Sequence, residues 1–195
     1  LYFNFTGSWC PPCGSGGAIN MKKNLQENPN LIGIEVHYND KMSSNISNKW
    51  VTFHKVNRYP TFIVNEGSSV SIPGALSKKA AVGFYQTYEV TGASMKVVGK
   101  VKALEDLPEG TYEIATYLME DGFVEPQYAS DHSAHPEWTF ENGQYPNYIH
   151  DNIIRAEAND YIFGRVLREG DWKKGEIIDY EVEMDVFASI RGDVY

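Results

Sequence analysis

Apolar and polar positions change period several times in the first ninety residues. Leu1 to Phe5 alternates as a strand and runs into a Thr6-Gly7-Ser8 turn. Pro11 to about Glu27 can form a helix, weakened at its start by Gly14, Gly16 and Gly17 and ended by Asn28-Pro29-Asn30. Leu31 to Tyr38 is apolar enough for a central parallel strand. Asn45 to Asn57 carries Trp50, Phe53 and Val56 at helical spacing. Pro60 to Val64 reads as a strand, and Asn65-Glu66-Gly67 turns into Ser69 to Ile72. Ser77 is a suitable N-cap for a helix expected to reach about Tyr88. The expected order is β-α-β-α-β-β-α.

The texture changes near Gly92. Met95 to Ala103 and Thr111 to Met119 alternate and are joined through Leu107-Pro108-Glu109-Gly110, which predicts a hairpin-like pair. Asp121 to Pro146 is polar, aromatic and proline-containing, as in a long loop. Tyr148 to Ala156, Tyr161 to Leu167 and Glu176 to Val186 are further strand candidates. The pattern predicts a first α/β domain over 1–91 and an all-β, immunoglobulin-like sandwich over 92–195, truncated at its C-terminus.

Composition narrows the partners. Apolar residues make up 42% of the 195, enough for a packed core. A net charge of −9 argues against nucleic acid, which demands clustered Lys and Arg. It also offers no polybasic anchor for a membrane. No apolar run approaches the roughly 20 residues of a spanning helix. The chain opens at Leu1, so it reads as a fragment of a longer precursor whose targeting segment lies outside it.

The two cysteines of the chain fall in Trp9-Cys10-Pro11-Pro12-Cys13. A thiol attacks as thiolate, and the free amides at a helix N-terminus favour that anion. Cys10 falls at the N-cap position and Pro11 in the first turn, where its missing N–H costs nothing. The pattern predicts an exposed Cys10 that attacks first and a more buried Cys13 that resolves the mixed disulfide, with Trp9 shielding one side. Two other readings stand beside it. Half a zinc site needs two more ligands, and His37 and His54 are isolated in the sequence. A structural staple across so short a loop gains little entropy.

Trp-Cys-x-x-Cys after a strand resembles the thioredoxin-fold motif, and Trp-Cys-Pro-Pro-Cys is similar to tryparedoxin-like and periplasmic thioredoxin-like proteins. Two further segments share the resemblance. Arg58-Tyr59-Pro60-Thr61-Phe62 resembles the family's cis-proline loop, which faces the disulfide and pairs with a bound substrate strand. Ile72-Pro73-Gly74-Ala75-Leu76-Ser77-Lys78 resembles the glycine turn before the last helix. The resemblance implies a thioredoxin-like domain in which Cys10 and Cys13 exchange and Trp9, Pro11, Pro12, Tyr59, Pro60 and Gly74 frame the substrate. Phe5-Thr6-Gly7-Ser8-Trp9-Cys10 is similar to the opening of the bacterial 28-kDa outer-membrane-protein-related family, and Tyr148 to Arg155 resembles part of its β-domain. That likeness implies an exported protein of the periplasm or outer membrane, with a lipid anchor on the preceding segment.

The implied activity is thiol–disulfide exchange with protein thiols and an upstream redox partner, using the Cys10–Cys13 disulfide and no organic cofactor or metal. One departure matters. The family often carries a buried carboxylate six residues before the first cysteine to move a proton, and here that position is Asn4. Glu35 or His37 on the neighbouring strand is the available substitute. This departure and the appended β-region motivate the alternative, a non-catalytic surface-binding protein on an inherited scaffold. His132 and His135 flank Ser-Ala, but Pro136 removes the shared helix face that would suit a metal. Trp138, Tyr145, Tyr148, Tyr161 and Trp172 suit a core or a binding face. No nucleophile elbow or phosphate-cradling loop is present.

Overall fold

The computed structural model describes residues 1–65, 71–159, 162 and 164–186. Its first strand, β1 (Tyr2–Thr6), is buried at all five positions, so both faces are covered. The chain then turns through Gly7 to Cys10 and enters a helix whose first full turn is π-helical (Cys13–Gly17) before it continues as α1 (Ala18–Glu27). The Ala18 amide reaches back five residues to the Cys13 carbonyl, a wider turn that the glycines at 14, 16 and 17 leave room for. This helix is the crossover that lets β2 (Gly33–His37) lie parallel to β1, with Asn4 opposite Glu35 and Thr6 opposite His37.

Next comes α2 (Asn45–Phe53), held at its start by a reciprocal pair of bonds between Ser44 and Ser47. It buries Ile46 and Trp50, and the Trp50 ring lies 4.9 Å from that of Phe3. β3 (Thr61–Val64) returns antiparallel to β1 after a cis Tyr59-Pro60 bond. α3 (Ile72–Leu76) is a single short helix.

β4 (Val82–Thr91) pairs with β5 (Ser94–Ala103) over all ten residues. Then follow β6 (Leu107–Ile114), β7 (Tyr117–Glu120), β8 (Phe123–Val124), β9 (Gln127–Tyr128), β10 (Gln144–Tyr145), β11 (Ile149–His150), β12 (Ile153–Glu157), β13 (Arg165–Trp172) and β14 (Ile177–Asp185). The sheets are β3-β1-β2-β12-β7, β14-β5-β4, β13-β6 and two short ribbons, β10-β9 and β11-β8.

The expected α/β thioredoxin-like domain followed by an immunoglobulin-like sandwich is not what folds. Strands hold 44% of the described residues and helices 17%, spread over several small sheets, which makes the chain mainly β. The helix expected from Ser77 to Tyr88 is absent. Val82–Thr91 is rich in aromatic and β-branched residues, which favour a strand, and Gly83 weakens a helix. Gly92, at φ +60, makes the two-residue turn into β5. The change of texture at Gly92 is therefore a hairpin turn inside one sheet. Residues 95–103 do not pair with 111–119 as expected. β5 lies between β4 and β14, while β6 pairs with β13. From 92 onward the described strands are distributed over all five sheets, β7 and β12 joining the sheet of β1. Part of the expected Ser69–Ile72 segment, and Tyr161 and Phe163 of the expected Tyr161–Leu167 strand, lie outside the described residues.

The chain does not divide at 91/92. One unit comprises Leu1–Ser77 with Met119–Arg155, and the other Lys78–Leu118 with the described residues from Ala156. The second unit's core gathers Val97, Val101, Ala103, Leu107, Trp172, Tyr180 and Val182. Gly99 is required there. A Cβ at this position would stand 2.5 Å from Tyr180 Cε1, and the Tyr180 hydroxyl is bonded to Gln86. Gly99→Val is expected to cost about 1–3 kcal/mol, read as a lower urea midpoint with an unchanged m-value.

Candidate functional site

Cys10 and Cys13 are joined in a disulfide at the N-terminus of the helix. The Cys10 carbonyl accepts the amides of Cys13 (3.1 Å) and Gly14 (3.3 Å), so Cys10 immediately precedes the first helical turn. Trp9 Nε1 donates to the Tyr38 carbonyl at 2.8 Å. The Trp9 ring meets Tyr59 edge-on at 5.4 Å, and Tyr59 stacks on Tyr38. Pro60 lies against the π-helical turn, where a Cβ on Gly17 would stand 3.2 Å from its Cγ. Pro11 and Pro12 are exposed, and the Pro11 carbonyl accepts the Ser15 hydroxyl. Gly74 lies in α3 with its amide on Ser71 Oγ and is not part of the cavity described below.

Cys10 is not the exposed member of the pair. Both cysteines are 3% exposed. The reason is a strap, Gln127–Ser130, from the region that read as a loop. The Tyr128 amide donates to the Ser8 carbonyl at 2.8 Å and the Ser130 amide to the Pro11 carbonyl at 3.0 Å. Gln127 is buried and its Nε2 donates to the carbonyls of Gly7 and Cys10, each at 3.3 Å. The fit depends on Gly14, because a Cβ there would meet the Tyr128 carbonyl oxygen at 2.2 Å.

Behind the pair is a cavity of about 410 Å³. Cys13, Asn4, Thr6, His37, Gln127 and His150 are its buried wall, and Glu35 lies beside them. Exposed Lys22, Gln26 and Asp151 stand at its rim. Asn4 Nδ2 donates to both Glu35 oxygens at 3.0 and 3.1 Å. Burial pushes the Glu35 carboxyl up to about 7, against smaller downward pulls from His37 and the Asn4 bond and a further push from Asp151.

His37 Nδ1 is 2.8 Å from Asp40 Oδ2. Burial alone would raise the Asp40 carboxyl, but the bond and charge of His37 and the amides of Ser8 and Met42 hold it below its usual value. An ionised Asp40 only accepts, so Nδ1 carries a proton. His37 Nε2 and Asn4 Oδ1 are buried without a hydrogen-bond partner. His150 Nε2 donates to the Glu125 carbonyl, and burial followed by His37 lowers its basicity to about 3, so it is neutral.

The structure thus brings together Cys13, Asn4, Glu35 and His37 on one cavity, and Trp9 with Tyr59 outside it. Sequence reasoning missed the strap and His150. Neither carries a periodic signal, and both reach the site from more than a hundred residues away in the chain. His132 Nε2 lies on the Trp138 carbonyl, while His135 stacks on the Trp138 ring at 3.8 Å. Among the described residues no group of three or more His, Cys, Asp or Glu is gathered as a metal site would need. Trp138, Tyr145 and Tyr148 pack together, and Trp172 fills the second unit's core. Tyr161 lies outside the described residues.

No protein-family model matches the chain, and no curated protein matches it. Among solved structures, an X-ray structure of an Agrobacterium tumefaciens protein aligns with 97% of this chain and 79% of its own, at 11% identity and a TM-score of 0.45.

Proposed function

We propose that the chain is a thiol–disulfide oxidoreductase whose redox centre is Cys10–Cys13. The observation that carries this is a helix-terminal disulfide whose second cysteine shares a cavity wall with Glu35, a carboxyl that gains and loses its proton near neutrality. A pair used only as a staple has no need of a proton acceptor beside it. An incoming thiolate attacks one sulfur of the pair, the Cys10–Cys13 bond breaks, and the departing sulfur leaves as thiolate and is protonated. A second thiol then attacks the mixed disulfide. Two external thiols become a disulfide, and the protein disulfide becomes a dithiol. Glu35 is the donor and acceptor for Cys13, one strand over from the position that Asn4 occupies. The exported, envelope setting implied by the sequence resemblance belongs to the same proposal, since such a pair cycles readily outside the reducing cytosol.

The test is the dithiol potential together with turnover. The expected value lies between about −120 and −270 mV, with reversible exchange against dithiothreitol. A potential below about −300 mV with no exchange would instead mark the pair as a staple on a binding scaffold.

A further inference from the structure

The cavity reaches one member of the pair. Cys13 is in its wall and Cys10 is not. From the other side, the strap bonds to the carbonyls of Ser8, Cys10 and Pro11 and keeps Cys10 buried. A disulfide carried on a folded protein has no approach to either sulfur by that side. The cavity, at about 410 Å³, is instead of the size that encloses a small molecule, for which about 300–1,000 Å³ is usual.

Its walls specify more. Asn4 and His37 in the wall each carry a buried polar atom, Oδ1 and Nε2, with no hydrogen-bond partner. Tyr148 and Trp138 add aromatic surface, and Lys22 and Asp151 put one charge of each sign at the rim. Unpartnered polar atoms in the wall and paired charges at the rim suit a short zwitterionic peptide.

We infer that the redox partner of this site is a peptidic low-molecular-weight thiol and its disulfide, which enter this cavity and exchange with Cys13 first. The inference rests on the reading of Cys10–Cys13 as an exchange centre. In the reducing direction the Cys13 thiolate attacks one sulfur of the small disulfide RSSR, and RS⁻ leaves and takes a proton. Cys10 then attacks Cys13 Sγ in the mixed disulfide, the Cys10–Cys13 bond re-forms, and the second RS⁻ leaves. The protein dithiol is oxidised and RSSR becomes two RSH. Cys10 is thus the resolving cysteine, the reverse of the order its place at the helix terminus suggests.

The experiment uses glutathione disulfide as the small probe and insulin as the protein probe, at equal disulfide concentration, on the full chain. Reduced wild type is expected to react with glutathione disulfide at least about tenfold faster than with insulin, and Cys10→Ser to form the glutathione adduct at least about tenfold faster than Cys13→Ser, by intact mass. Ala18→Phe, which adds bulk at the cavity wall, is expected to slow the glutathione disulfide reaction by a larger factor than exchange with the smaller dithiothreitol. Faster insulin reduction, an adduct that forms preferentially on Cys10, or an Ala18→Phe variant with full glutathione activity overturns the inference while leaving the exchange reading intact. Failure of wild type to exchange even with dithiothreitol overturns both.

Discussion

Glu35→Gln is expected to slow exchange at pH 7 by about 100-fold and, at the same time, to stabilise the fold. The rate loss follows from removing a carboxyl that lines the same cavity as Cys13, since positioned general bases contribute about 10²–10⁴. In the wild-type protein the exchange rate is expected to rise with pH through about 7, where Glu35 becomes a base. The variant loses this inflection. Stability moves the other way. Glu35 is raised from 4.5 to about 7 in the folded state, so the folded chain binds its proton more tightly than the unfolded chain. Its contribution is fully present below about 4.5 and is lost as pH rises from about 4.5 to about 7, at a total of about 3 kcal/mol. Glutamine does not titrate, so the variant is expected to exceed wild type in urea unfolding at pH 8 by up to about that amount. His150 has the opposite sign, because its folded value is lowered and stability is lost as pH falls below 6.5. Comparing the two chains at each pH separates the Glu35 part. A variant with wild-type rate and an unchanged pH profile removes Glu35 from the mechanism.

Gly14→Ala is expected to open the strap. The added methyl would meet the backbone oxygen of Tyr128 at 2.2 Å and Gln127 Cγ at 2.8 Å, and a backbone atom cannot rotate away. The strap must lift, which breaks the bonds from Tyr128 to Ser8 and from Ser130 to Pro11. Loss of two such bonds costs about 1–3 kcal/mol. Cys10 then becomes reachable. After reduction, alkylation of Cys10 by iodoacetamide, read by peptide mass, is expected to accelerate at least about tenfold as local opening no longer limits it. Insulin reduction is expected to rise with it. If Cys10 in the variant stays as slow as in wild type, the strap is not what covers it.

The elements nearest the pair were legible because each has a local cause. β1, the helix from Pro11 to Glu27, β2, α2 and β3 fall close to where periodicity and breakers put them. Even the end of α2 at Phe53, short of the expected Asn57, has a local sign in Lys55, whose φ of +52 leaves the helical region. What could not be read was long-range. Val82–Thr91 follows a good cap residue, yet ten cross-strand partners in β5 outweigh that weak helical preference. β12 and β7 join the first sheet from beyond residue 116, and no feature of Ile153–Glu157 says which sheet it enters. Of the site, Cys10, Cys13, Asn4 and Glu35 were visible as residues. Their cover was not, because Gln127–Ser130 acts through backbone amides and a sequence does not display those.

The unit that holds the cavity is made of two stretches separated by Lys78–Leu118, and this has a consequence for synthesis. The cysteines leave the ribosome first, while Gln127–Ser130 and Tyr148–Asn152 follow more than a hundred residues later. At about 5–20 residues per second, the dithiol spends roughly 10 s without its lid. During that interval both sulfurs are open to any oxidant or folding catalyst, whatever its size. On the proposed reading, the finished chain admits only what fits past Lys22 and Asp151. A partner that installs the first disulfide therefore need not resemble the one that later cycles it.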